Sequence, residues 1–135
     1  MKVVLDTNVI VSGLLSPYSA AGEIVRMAAG GIITLCYDAR IITEYREVLQ
    51  RPKFCFSKNH IYSLLDEIET CGYAICARPL ALKLPDLDDE PFLEVAIVAE
   101  AVCLVTGNLK HYPAKVRQDA LVLSPAQFLE KFFRS

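Results

Sequence analysis

Short apolar runs alternate along this chain with stretches whose apolar residues recur at helical spacing. The first run, Val3-Val4-Leu5, is β-branched and aliphatic throughout, as expected of a buried strand in the middle of a parallel sheet. It stops at Asp6, and the apolar segment 9–15 then begins a helix. Residues 20–29 predict a second helix, closed by Gly30-Gly31. Residues 32–37 (IITLCY) read as a second strand. Asp38 is placed to cap a helix over 39–49, whose residues Ile41, Ile42, Tyr45, Val48 and Leu49 share one side. Arg51-Pro52-Lys53 breaks that helix. Ser57 caps the next, 58–71, with Ile61, Leu64, Leu65 and Ile68 as its apolar stripe and Gly72 as its stop.

In the second half, 73–77 predicts a short strand, 78–85 a proline-bounded connector, and 92–101 a helix behind an acidic stretch at 86–90. Residues 102–106 (VCLVT) form a further buried strand, 107–113 a loop and 121–123 a last strand. Ser124-Pro125 opens an amphipathic terminal helix reaching Phe133. Strand and helix alternate without repeat or linker. The pattern predicts an α/β fold: one three-layer α/β/α domain over 1–135 with a mostly parallel central sheet.

A hydrophobic content of 53% with 22% charged residues fits a globular chain rather than a disordered one. No apolar run is long enough to span a bilayer, and Asp6 interrupts the run that a signal peptide would need; no membrane partner and a cytoplasmic location are expected. A net charge of −2 does not attract phosphate, so a nucleic-acid partner would require local basic patches. The five cysteines form no CxxC pair; Cys36, Cys76 and Cys103 fall in apolar runs and read as small buried residues in a reducing compartment. The terminal helix carries Phe128, Leu129, Phe132 and Phe133, more apolar surface than one small core would cover, and predicts a homodimer interface.

The acids fall at telling places. Asp6 ends the first strand, where the strand would bury equally well with Ser or Gly, although a helix cap by Asp6 or Thr7 would account for one polar residue. Glu44 lies on the helix after the second strand, with Glu47 on the same side. Asp86, Asp88, Asp89 and Glu90 crowd a helix start, where the macrodipole alone would favour them. Thr106-Gly107-Asn108 ends a late strand. In a doubly wound sheet, strand ends and helix starts share one edge, so these groups converge. Gathered carboxylates repel unless a cation neutralises them, and oxygen ligands favour hard divalent ions, which activate water and stabilise a leaving oxygen.

LDTNVIVSGLL, ITEYREVLQRPKF, LPDLDDEPFLEVA and LVTGNLKHYP, in that order and spacing, resemble the successive motifs of PIN domains, most closely the branch of toxin components from prokaryotic toxin–antitoxin pairs. The resemblance implies a Rossmann-like fold and a Mg- or Mn-dependent ribonuclease that cleaves RNA and is paired with an antitoxin. It puts the catalytic and metal-binding acids at Asp6, Glu44 and Asp89. Asp86 is a fellow ligand or supporting group, and Glu90 competes for the place of Asp89. Where many PIN domains have a fourth acid, this chain has Asn108, which can offer a carbonyl but no charge. Thr7, Asn8 and Thr106 would support the acids through hydrogen bonds. Arg46, Arg51, Lys53, Lys110, His111 and Lys115 are candidates for RNA contact, with His111 read as a phosphate or loop-packing residue rather than a ligand, and Tyr45 and Tyr112 as core or rim. A haloacid-dehalogenase phosphatase would need an acid at position 8, and a response-regulator receiver a lysine ending the late strand; both are absent. The remaining rival is a PIN fold that binds RNA or a partner without cutting.

Overall fold

The computed structural model describes residues 1–80 and 83–134. Among the described residues five strands, β1 (Lys2–Leu5), β2 (Thr34–Tyr37), β3 (Tyr73–Ala74), β4 (Cys103–Val105) and β5 (Val122–Leu123), pair in parallel in the order β3-β2-β1-β4-β5. Among the described residues the helices are α1 (Thr7–Leu15), α2 (Ala20–Ala29), α3 (Ala39–Leu49), α4 (Lys58–Cys71), α5 (Glu90–Val98) and α6 (Pro125–Phe132). From β1 the chain winds outward through β2 to β3, then returns across β1 to β4 and β5. Right-handed crossovers in opposite directions put α5 on the other face of the sheet from the β1–β2 helices. The switch point of this doubly wound sheet lies between β1 and β4, the place where such folds bind ligands.

Local caps explain the helix bounds. Ser19, Asp38 and Ser57 accept hydrogen bonds from Gly22, Ile41 and His60 backbone N–H groups, and Ser124 forms a capping box with Gln127. Helix α2 packs on α1, α4 and α6, while α5 lies across β1, β2 and β4. The α1–α2 approach depends on Gly13, where a Cβ would stand 2.7 Å from Val25 Cγ2 and 2.8 Å from the Ala21 carbonyl oxygen. The β1 residues Val3, Val4 and Leu5 are fully buried at the centre.

The strands are shorter than their apolar runs. Ile32 and Ile33 donate to the Met27 carbonyl and wrap the end of α2, so β2 starts at Thr34. β3 is an exposed edge pair of two residues rather than five. Helix α5 starts at Glu90, two residues early, because a 3₁₀ turn at Leu87–Asp89 leads directly into it. It ends before Glu100, which is left-handed (φ 52°). Residues 81 and 82 of the expected connector lie outside the described residues.

Two expectations are corrected. Cys76 is exposed, because it lies past the end of the short edge strand β3; Cys36 and Cys103 are buried in central strands. The terminal helix does not present four free apolar residues: Phe128 and Leu129 are fully buried where α6 meets α2 and β5, and Phe133 is the exposed one at 40%. The apolar patch offered as the basis for a homodimer is largely internal core. Among the described residues, no helix is long and apolar enough to cross a membrane.

Candidate metal centre

Register brings the first two groups together. Leu5 pairs with Val105, so the residues that follow, Asp6 and Thr106, leave adjacent strands side by side. The Asp6 backbone N–H donates to the Val105 carbonyl at 2.9 Å. Asp6 occupies the N-cap position of α1 but its side chain makes no cap hydrogen bond. Instead Oδ2 accepts from the Thr106 hydroxyl and from the Tyr112 hydroxyl, each at 2.9 Å. Capping therefore does not account for this buried carboxylate. Burial pushes its pKa up, against the hydrogen bonds from Tyr112 and Thr106.

Glu44 reaches the same edge from the middle of α3, where it is half-buried and accepts from the Thr7 hydroxyl. Burial raises its pKa, the Thr7 bond opposes this, and the Asp6 and Asp88 charges add to it, whereas Arg51 lowers it. Glu47, one turn on, is exposed. Thr7 thus serves Glu44 through its hydroxyl rather than Asp6. Asn8 is also turned elsewhere, its Oδ1 accepting from the Gly107 N–H at 2.8 Å. Thr106 is shared, since its Oγ1 also accepts from the Asn108 N–H at 3.0 Å.

The 3₁₀ turn separates the acids of the third motif. Asp89 is buried and faces Asp6, and its pKa is raised to about 6 by burial first and the Asp6 charge next, with His111 opposing and Asp86 adding. Asp86, exposed, accepts from the Asp88 N–H at 3.0 Å and so holds the turn. Asp88 is exposed on the rim. Glu90, the rival for Asp89's place, points away: its carboxylate accepts from the Leu84 N–H at 2.9 Å and lies 3.6 Å from Lys83 Nζ. One turn later Glu94, which sequence reasoning did not single out, repeats the arrangement. It is buried, accepts from the Leu80 N–H at 3.0 Å and pairs with Arg40 at 2.7 Å, Arg40 also gripping Asp38. Glu90 and Glu94 therefore anchor the connector to α5. Their signal in sequence was only their spacing of four on an otherwise apolar helix.

His111 Nδ1 lies 2.8 Å from Asp89 Oδ2, but off the line of a hydrogen bond, so that buried oxygen has no aligned donor. Asn108 Nδ2 lies 2.8 Å from the other ring nitrogen of His111. Asp86, Asp89 and His111 each bring a ligand atom within 4.8 Å of the other two, a spacing that a single ion could bridge; Asp6 and Glu44 stand outside this tight group. Asn108 touches His111, not Asp6. Tyr112, read as core or rim, is fully buried and also the second donor to Asp6; burial and the Asp6 and Asp89 charges push its pKa far up, keeping its proton in place. Of the basic candidates, Arg46 is tied to Glu69 of α4 at 3.0 Å, while Arg51, Lys53, Lys110 and Lys115 are exposed and His111 is half-exposed. Tyr45 is core, donating to the Leu5 carbonyl.

The donor set fits a divalent cation. It comprises several oxygens, one imidazole, carboxylates whose ionisation is opposed by burial (Asp6) or by burial and neighbouring acids (Glu44, Asp89), and a buried carboxylate oxygen without an aligned donor among the described residues.

Comparison with known proteins agrees with this geometry. An uncharacterized protein of Methanocaldococcus jannaschii is 25% identical over 143 residues, spanning 98% of this chain and 92% of that protein. A chain of the crystal structure of VapBC2 from Rickettsia felis, bound to a DNA fragment from their promoter, shares the fold at a TM-score of 0.56 and 16% identity, covering 92% of this chain and 98% of that one. The PIN domain family model matches residues 2–110. With the four ordered motifs and the acids at the switch point, this match means that the chain belongs to the PIN domain family.

Proposed function

We propose that this chain is a metal-dependent endoribonuclease and the toxin of a toxin–antitoxin pair, working in the cytoplasm. The observation that carries the reading is the shift of three carboxyls near one sheet edge: burial raises Asp6, and burial together with neighbouring acidic charges, that of Asp6 among them, raises Glu44 and Asp89. PIN domains are generally nucleases, and the fold neighbour from Rickettsia felis belongs to a VapBC assembly. Both support the reading.

In this proposal Asp6, Glu44 and Asp89 are the catalytic acids, with Asp86 and His111 flanking Asp89. Mg²⁺ or Mn²⁺ would be held among them, with the imidazole tilting the preference toward Mn²⁺. Such an ion supplies Lewis acidity toward a phosphoryl oxygen and lowers the pKa of water. The chain's own part is positioning. Thr106 and Tyr112 hold one Asp6 oxygen, and Thr7 holds one Glu44 oxygen. Arg51, Lys53 and Lys110 offer phosphate contacts that position RNA without reading its sequence. A homodimer remains part of the proposal, tested by light scattering.

A catalytically silent PIN module is the second reading, favoured by Asn108. One experiment separates the two: cleavage of single-stranded RNA with Mn²⁺ or Mg²⁺, with chelator as control and Glu44→Gln as the inactive reference. Metal-dependent cutting that the substitution abolishes supports the enzyme; RNA binding without cutting supports the module. Co-purification with the product of the neighbouring gene tests the antitoxin.

A further inference from the structure

The segment joining α3 to α4 carries aromatic groups that the acidic pocket leaves unused. Phe54 and Phe56 stack with ring centroids 5.5 Å apart and planes 15° from parallel. Cys55 between them is left-handed (φ 55°, ψ 30°), a conformation that a non-glycine residue keeps only where its surroundings over-determine it. Phe56 packs against the core and is the fixed half of the pair. Phe54 is half-buried, with its ring against Phe56 and Lys53 Nζ 5.1 Å from its centroid.

The placement matters as much as the stack. Arg51 stands two residues past Leu49, where α3 ends, and its charge acts on the Glu44 carboxyl that the helix carries. The aromatic pair therefore begins where the cation beside the acidic pocket ends. Grooves for single-stranded nucleic acid have this make-up, with cations on the phosphates and aromatic faces under the bases. A purely apolar partner surface would have no use for Arg51 and Lys53, two exposed cations on a chain of net charge −2.

Resting on the reading of the pocket as a nuclease site, we propose that Phe54, buttressed by Phe56 and flanked by Arg51 and Lys53, is a stacking platform for an unpaired base of single-stranded RNA whose backbone continues to Glu44. A base takes the place of the Lys53 ammonium over the ring, and the ammonium turns to phosphate. The substrate class is single-stranded, because duplex bases already stack on one another. The platform tolerates any base, because every base has a π-face.

The test uses the full chain in chelator, so that binding is read without cleavage. The probes are a short single-stranded RNA carrying 2-aminopurine and a duplex RNA of the same length. Phe54→Leu is expected to weaken single-strand binding by about 5- to 150-fold and to abolish quenching of 2-aminopurine, with duplex binding unchanged. Phe54→Tyr is expected to restore both. Arg51→Gln is expected to weaken the two RNAs equally. The proposal is overturned if the parent binds neither RNA, if Phe54→Leu binds single strands as the parent does, or if it loses single strand and duplex alike. It is also overturned if Phe54→Leu loses only a co-purifying protein, since the surface is then a protein-docking one. If Phe54→Leu fails to fold, the parent and Phe54→Tyr must still quench 2-aminopurine; absence of quenching overturns the proposal. Unchanged cleavage by Phe54→Leu would leave the nuclease reading intact, and base quenching without cleavage would leave the platform intact.

Discussion

Replacing Asp89 by asparagine should stabilise the metal-free protein, a result opposite to the usual cost of altering a buried polar residue. Burial, Asp6 and Asp86 raise the Asp89 carboxyl from 3.8 to about 6 in spite of His111. A displacement of that size means that ionising Asp89 costs the native state roughly 3 kcal/mol relative to the unfolded chain. Between those two values the native state holds more protons than the unfolded state. Stability of the parent therefore falls as pH rises through that window and levels off above it. Asparagine has no such dependence, but its amide is itself desolvated, which reduces the expected gain to about 1–3 kcal/mol above pH 7. For a chain of this length that is a Tm rise of roughly 3–12 °C. The assay is thermal unfolding in chelator at several pH values from 4 to 8, parent against Asp89→Asn. The curves should coincide near pH 4, diverge between about 4 and 6, and stay a constant distance apart above that. With Mn²⁺ added, the parent should gain stability and the variant should gain little. A variant less stable than the parent at pH 7.5 in chelator would refute the reasoning, because the Asp89–His111 contact would then outweigh burial and repulsion.

Two further outcomes follow from the buried contacts. Arg40→Ala strips the partner from buried Glu94 and should cost about 1–3 kcal/mol by urea unfolding, below the full cost of breaking a buried pair because Arg40 is 48% exposed. Adding Glu94→Gln should recover part of that loss, and a double variant no better than the single would count against the pairing. Tyr112→Phe removes one of two side-chain donors to Asp6 and should cost about 0.5–1.5 kcal/mol. The loss should be larger at pH 7.5 than under acid, since the bond favours ionised Asp6; equal losses at both would mean Tyr112 acts by packing alone.

The helices were legible because their limits are set locally. Ser19, Asp38 and Ser57 each satisfy an orphan backbone donor a few residues on, and Gly30 and Gly72 close the far ends, so α2, α3 and α4 begin and end where the pattern predicted. Strand ends are set by pairing with distant partners, and apolar runs overstated them at β2, β3 and β4. The placement of the acids at one edge was legible for a related reason, since a residue following a parallel strand must emerge at that edge. Which acid faces inward was not. Asp89 and Glu90 are neighbours, and only the 3₁₀ turn at 87–89 sends one to Asp6 and the other to the connector. Tyr112 and Glu94 were passed over because their partners, Asp6 and Arg40, lie 106 and 54 residues away.

Asn108 shows how a departure from a motif changes meaning once its neighbour is known. In sequence it is a missing charge. In the structure it stands against His111, whose other nitrogen faces Asp89. An amide can present either its NH₂ or its carbonyl to an imidazole nitrogen, whereas a carboxylate can only accept. With the NH₂ toward Nε2, the ring carries its proton on Nδ1, 2.8 Å from the Asp89 carboxylate though out of line for a hydrogen bond. With the carbonyl toward Nε2, the proton moves to that nitrogen and Nδ1 presents a lone pair, the form in which histidine serves as a ligand while its second nitrogen is held by a neighbour. Asparagine therefore supports both the metal-free and the ligand form of His111. Aspartate would support only forms in which Nε2 keeps its proton, and would add a negative charge to a group already strained by Asp6, Asp86 and Asp89. On the proposed reading of the pocket as a metal site, the missing fourth acid is offset by an imidazole set against the third.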